Sequence, residues 1–191
     1  MARSSGYDLA PVSIVKAYTW CPALAWFEAN GPRLVLPPAS RVDRTGLHPL
    51  EAWTMLEALG HRGHIVMEAG LEDPVLGLRG RVDYLAEPGP TPGAVVEYKA
   101  RGLWGGPEGP GMVQAALYTI MAEHIYRTRF EGYVVAVEGV YRVGERHKAR
   151  ALRLLARAKA AVALPEPPEP GHDLSRCRSC IYRRVCPYSP G

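Results

Sequence analysis

Four cysteines stand at the two ends of this 191-residue chain, and whatever joins them limits the folds open to it. Cys21 lies near the start. Cys177, Cys180 and Cys186 form a C-x2-C-x5-C group near the end, 156 positions further on (177 minus 21). Prolines follow Cys21 and Cys186, as often happens at iron–sulfur ligands. Thiolates suit iron–sulfur clusters or zinc, and four of them make a complete set. Zinc more usually takes two close CxxC pairs. Disulfides are disfavoured in a reducing cytosol, although hyperthermophiles are an exception. A metal group held by all four thiolates would tie an N-terminal helix to the C-terminal tail and close a loop over most of the chain. Metal affinity would then become folding free energy.

Between the cysteines the pattern is that of one α/β domain. Hydrophobic residues make up 47% of the chain, which argues against disorder. No apolar run reaches the roughly 18 residues of a membrane span. The N-terminus lacks the apolar core and cleavage site of a signal peptide, so a soluble, cytoplasmic protein is expected. Apolar spacing predicts helices over 12–17, from a Thr19 cap through Glu28, and over 48–59. Strand-like runs at 64–71, 75–85 and 94–100 are expected to form an antiparallel meander. The glycine-rich stretch 101–111 connects to a helix over 112–126. A strand is expected over 131–140, then a basic amphipathic helix over 145–162 with its apolar stripe through Ala149, Leu152, Leu155, Ala156 and Val162. Prolines make 165–170 a stiff connector.

Net charge is +4 and the pI about 8.9, compatible with a polyanionic partner without requiring one. Six Lys or Arg residues against the single acid Glu145 in 142–157, and Arg176, Arg178, Arg183 and Arg184 in the tail, are first of all solvated faces. Asn30 and Gln114 are the only amides. Such depletion points to a thermophilic source or to GC-rich coding bias.

The chemistry concentrates on Asp83, Glu97 and Lys99. Asp83 ends the run LGLRGRVDYL, and Glu97 and Lys99 lie on the next, AVVEYKA. Strand side chains alternate, so Glu97 and Lys99 share a face while Tyr98 takes the other. If the two strands pair, Asp83 sits beside Glu97, and two carboxylates there suit Mg²⁺ or Mn²⁺. Such an ion polarises a phosphodiester and acidifies a bound water, with Lys99 orienting that water or steadying charge on the phosphate. A surface Glu–Lys pair is the bland alternative.

Asp83 followed by Glu97-Tyr98-Lys99 resembles the D…ExK signature of RecB-like nucleases, within the restriction-endonuclease-like PD-(D/E)xK fold. Gln114-Ala115-Ala116-Leu117-Tyr118 resembles that family's QxxxY element, whose first and last residues share one helix face. In the family this element supports the active site and contacts DNA. The resemblance also implies a metal-ligating histidine on an earlier helix, best matched by His48 with His61 and His64 as competitors, and a backbone carbonyl ligand from Tyr98. One cysteine ahead of these motifs and three behind them is the arrangement of RecB-like nucleases with an iron–sulfur staple, which favours iron–sulfur over zinc and disulfides. Both four-iron and two-iron clusters use four cysteines; four-iron is favoured.

A stand-alone chain of this size, without a Walker pattern, is similar to the CRISPR-associated exonucleases of the Cas-four family. That resemblance implies a single RecB-like domain over 1–191, with a core at about 40–162 and an iron–sulfur region from about 12–31 plus 171–191. It implies a mixed sheet flanked by helices. It further implies a Mg²⁺- or Mn²⁺-dependent exonuclease acting chiefly on single-stranded DNA in CRISPR adaptation, with the integrase proteins Cas-one and Cas-two as partners. The alternative is an iron–sulfur DNA-binding or adaptor protein without nuclease activity of its own. Arg101 and Trp104, in the loop after Lys99, are candidates for phosphate contact and base stacking. Tyr18 and Trp20, beside Cys21, are expected to pack around the cluster.

Overall fold

A computed structural model describes residues 9–32, 49–100, 102–171 and 174–190. His48 and Arg101 lie outside the described residues. The elements run β1 (Ala10–Pro11), α1 (Val12–Trp20), α2 (Pro22–Asn30), α3 (Pro49–Ala58), β2 (Ile65–Asp73), β3 (Leu78–Ala86), β4 (Gly93–Lys99), α4 (Pro110–Tyr126), β5 (Phe130–Ala136), β6 (Gly139–Arg142) and α5 (Glu145–Val162). Short 3-10 turns cover Gly106–Glu108 and Leu174–Ser179.

The strands make one mixed sheet in the order β1-β3-β4-β5-β6, with β2 also on β3. The meander β2-β3-β4 is antiparallel as expected, whereas β4 and β5 run parallel across the α4 crossover. β4 is central and covered on both faces, which is why its Ala94-Val95-Val96 run is continuously apolar. One face of the sheet carries the main core beneath α1, α4 and α5. On the other, Leu56 of α3 covers a smaller cluster built on Tyr84, Val96, Tyr133 and Val135. α4 lies between the sheet and the outer helices and is therefore apolar almost all round. Among the described residues no helix is long and apolar enough to cross a membrane.

Four expectations are corrected. Thr19 does not cap α2: its hydroxyl donates back to the Lys16 carbonyl within α1. The cap position is Cys21, held extended ahead of Pro22, because a residue before proline avoids helical angles. The second strand of the meander starts at Leu78, not Val75, since buried Asp73 accepts the Val75 and Leu76 N–H groups at 2.8 and 3.0 Å and forces a turn. The stretch 131–140 is a hairpin rather than one strand; it turns at Gly139, whose φ of 144° suits glycine alone. On α5 the buried stripe runs through His147, Ala151, Leu155, Ala158 and Ala161, while Ala149, Leu152 and Ala156 face out. Small alanines beside Leu155 let α5 lie close to α2 and α4, so side-chain size alone does not mark its inner face.

The two ends of the chain meet on α2. Trp26 and Asn30 donate to the Leu164 and Val162 carbonyls, each at 2.8 Å, occupying acceptors left open at the end of α5. Tyr182 of the tail stacks on Phe27, with ring centroids 5.1 Å apart. Tyr188 donates to the Pro167 carbonyl at 2.9 Å and fastens the tail to the proline connector.

Candidate active site

β3 and β4 pair as Ala86 with Ala94, Leu85 with Val95, and Tyr84 with Val96. The next pair in the same register would set Asp83 opposite Glu97, and there the ladder stops. The Asp83 carboxylate accepts the Tyr98 backbone N–H at 2.7 Å, so a side chain stands in for the ladder bond. The facing pattern of β3 changes phase at the same point: Leu78, Val82 and Leu85 enter the main core, but Tyr84 and Ala86 face α3. β2 shifts with it. The Glu68–Asp83 step is missing from an otherwise regular ladder, and Glu68 has a left-handed φ of 51°. The strands therefore splay where the two acids stand.

Glu97 and Lys99 lie on the face of β4 toward α4, while Tyr98 packs against the α3 cluster on the other face. Lys99 Nζ donates to Glu97 Oε1 at 2.6 Å and to Gln114 Oε1 at 3.2 Å. Glu97 is only 3% exposed, and its Oε2 is buried without a hydrogen-bond partner. Burial pushes its carboxyl up to about 7; the Lys99 ammonium opposes the rise and the Asp83 charge reinforces it. A carboxylate oxygen left in this position is costly unless a cation or a proton meets it. Two acidic oxygens flanked by an ammonium are a donor set for a hard divalent ion, and the orphaned Oε2 is the atom that fits one.

Gln114 and Tyr118 share one face of α4. The Tyr118 hydroxyl meets the Gln114 side chain and the Arg81 backbone, and Gln114 in turn meets Lys99. The chain of contacts Tyr118–Gln114–Lys99–Glu97 thus holds the lysine in place. Tyr118 is buried, so it acts on the site from behind. Gly80 makes room for it, since a Cβ there would lie 2.5 Å from the Tyr118 ring.

Two of the histidine candidates have other partners. His61 is buried with its Nδ1 3.0 Å from the Pro92 carbonyl and its Nε2 near Tyr133 and Glu131. His64 lies exposed beside Glu87. The preferred candidate, His48, lies outside the described residues, as does Arg101. Lys16 of α1 is not singled out by any sequence motif. Burial and then the Lys99 charge lower its ammonium, while Glu97, Glu28 and Asp83 pull the other way, which puts it within electrostatic reach of the acids. The available signal was a lone cation inside the apolar helical run Val12–Ile14–Val15–Ala17.

Cys21, Cys177, Cys180 and Cys186, none of them in a disulfide, line one open pocket. Trp20 lines the same pocket, whereas Tyr18 packs against the main core. Burial pushes the Cys21 thiol up, opposed by the Leu24 and Ala23 N–H groups of the first turn of α2. Among the described residues, no group of three or more His, Cys, Asp or Glu is arranged to hold a single metal ion.

A search of curated proteins finds no match to the chain. Solved structures share its fold, two of them as follows. One is the protein SSO0001, 16% identical, covering 100% of this chain and 90% of its own, with a TM-score of 0.53. Another is a protein of Eubacterium rectale named provisionally as an exonuclease, 12% identical, covering 100% and 96%, also at 0.53. The sequence model of the PD-(D/E)XK nuclease superfamily matches residues 23–187, which include the splayed acids, the lysine and all the tail cysteines. This chain belongs to the PD-(D/E)XK nuclease superfamily.

Proposed function

We propose that the protein is a divalent-metal-dependent deoxyribonuclease, an exonuclease acting chiefly on single-stranded DNA. The observation that carries the reading is the buried, unpartnered Glu97 Oε2 beside Asp83 and Lys99. Glu97 and Asp83 would hold Mn²⁺ or Mg²⁺ with the Tyr98 carbonyl and His48. When bound, the ion supplies Lewis-acid polarisation of the phosphodiester and acidifies an attacking water. Lys99, kept in place by Gln114 and Glu97, donates N–H toward that water or a non-bridging phosphate oxygen. Gln114 and Tyr118 fix the ammonium so that no side-chain ordering has to accompany the reaction.

The cysteine cavity is assigned to an iron–sulfur cluster of structural role, four-iron in preference to two-iron. Four cysteines outside any disulfide, all lining one pocket, supply the donor chemistry. The place in CRISPR adaptation, with the Cas-one and Cas-two proteins, rests on the resemblance in motif order alone.

The test is digestion of single-stranded DNA, labelled at one end or the other, with Mn²⁺. The wild-type protein is expected to shorten the strand and Glu97→Ala to leave it intact. Equal digestion by both proteins would sink the assignment, and products from one labelled end only would give the polarity.

A further inference from the structure

A cluster of Trp20, Trp104 and Arg176 brings together three segments that lie far apart in sequence. Trp20 ends α1 immediately before Cys21, and Arg176 sits in the tail immediately before Cys177. Trp104 belongs to the loop that follows Lys99. The two indole centroids are 4.6 Å apart at 43°. The Arg176 guanidinium lies 5.3 Å from the Trp20 centroid and 5.4 Å from that of Trp104. Arg176 also donates to the Trp20 carbonyl at 3.3 Å, so its position is fixed.

This cluster is not closed off from solvent. Trp104 stays 50% exposed although its neighbour Leu103 is buried. Its loop is nevertheless held: the Leu103 N–H donates to Glu138 Oε2 at 3.2 Å, and the Trp104 N–H donates to the Gly102 carbonyl. A Cβ on Gly111 would lie 2.9 Å from the Leu103 side chain and 3.3 Å from Lys99 Cε. Leu103 and the Lys99 stem thus flank one glycine, and Trp104 is anchored next to the candidate active site. A half-exposed indole on a fixed loop, backed by a second indole and a guanidinium, keeps an aromatic face in water for a partner.

We infer that Trp104, backed by Trp20 and Arg176, is a stacking platform for the unpaired bases of a DNA strand whose phosphate reaches Lys99. The occupant follows from the chemistry. A flat aromatic face beside a cation suits nucleobases on a polyanionic backbone. The exposed tail arginines Arg178, Arg183 and Arg184 add positive charge on the same segment as Arg176. A duplex buries its base faces in its own stack, so only an unpaired strand can use the platform. The inference deepens the nuclease reading and rests on it for the identity of the strand. It also makes Trp20 a support of the platform as well as a wall of the cysteine cavity.

The test measures binding without turnover, in chelator, so that it reads independently of cleavage. The probes are a fluorescent oligothymidylate, an abasic strand of equal length and charge, and a blunt duplex. The wild-type holoprotein is expected to bind oligothymidylate roughly tenfold or more tightly than the abasic strand. Trp104→Ala should erase that preference and Trp104→Phe retain some of it. Arg176→Lys, which keeps the charge but loses the flat guanidinium, should weaken oligothymidylate more than the abasic strand. Circular dichroism and thermal unfolding establish that each variant is folded. Equal wild-type affinity for the two single strands, or an unchanged preference in folded Trp104→Ala, would overturn the platform. A wild-type protein that prefers bases yet never cleaves with Mn²⁺ would leave the platform standing and remove the nuclease reading.

Discussion

Replacing Glu97 by glutamine keeps the shape of the side chain and removes its charge, and the structure fixes the sign and size of the result. In the folded protein burial holds the carboxyl at about 7, against an ordinary value of 4.5. Below pH 4.5 the group is protonated in both folded and unfolded chains and costs nothing. Between 4.5 and about 7 the unfolded chain releases its proton while the folded one keeps it, so stability falls as pH rises. The gap from 4.5 to about 7, at about 1.4 kcal/mol per pH unit, amounts to about 3 kcal/mol, and above it the penalty is constant. Glu97→Gln has no such penalty. In urea unfolding of metal-free protein the variant should match wild type near pH 4.5 and exceed it by about 3 kcal/mol near pH 8.5. Mn²⁺ should then stabilise wild type and not the variant, by about 2.7 kcal/mol at a hundred times its dissociation constant. Three findings would refute the reasoning: a difference that does not vary with pH, a variant less stable than wild type throughout, or equal Mn²⁺ stabilisation of both.

Gln114→Ala releases Lys99 from one of its two acceptors and should lower cleavage of single-stranded DNA by roughly 10- to 100-fold, with the fold intact by circular dichroism. Gly80→Ala drives a methyl group against the Tyr118 ring and should cost about 1–3 kcal/mol in urea unfolding, an effect that pairing it with Tyr118→Ala should relieve. Cys21→Ser should abolish the visible absorption and the iron and sulfide content of anaerobically purified protein and lower its melting temperature; a colourless wild-type preparation holding zinc would remove the cluster assignment.

Much of the fold was legible because its signals are local. The Asn30-Gly31-Pro32 stop after α2, the Pro/Gly-rich separator before β4 and the apolar run of α4 fix elements within a few residues of themselves. Where pattern misled, a competing local turn or a packing contact was responsible. Buried Asp73, also 2.8 Å from His124, shortened β3. The α5 stripe turned because Ala151, Ala158 and Ala161 join Leu155 on its inner face while Leu152 faces out. Lys16 joined the acids because α1 lies across the sheet, which no spacing along α1 could announce.

The sequence alone determined which residue types were available and how they were phased: two acids and a lysine on successive strands, a glutamine and a tyrosine one turn apart, four thiols at the two ends. Alternation along a strand and the 3.6-residue helical turn are properties of the backbone, so such phasing holds whatever surrounds it. Only the tertiary structure decided that β3 and β4 separate just before Asp83 and Glu97 would pair, that Glu97 keeps a buried oxygen without a partner, and that Trp20, Trp104 and Arg176 meet. Burial, and the meeting of segments more than 70 residues apart such as Trp104 and Arg176 (176 minus 104), are set by the packing of the whole chain.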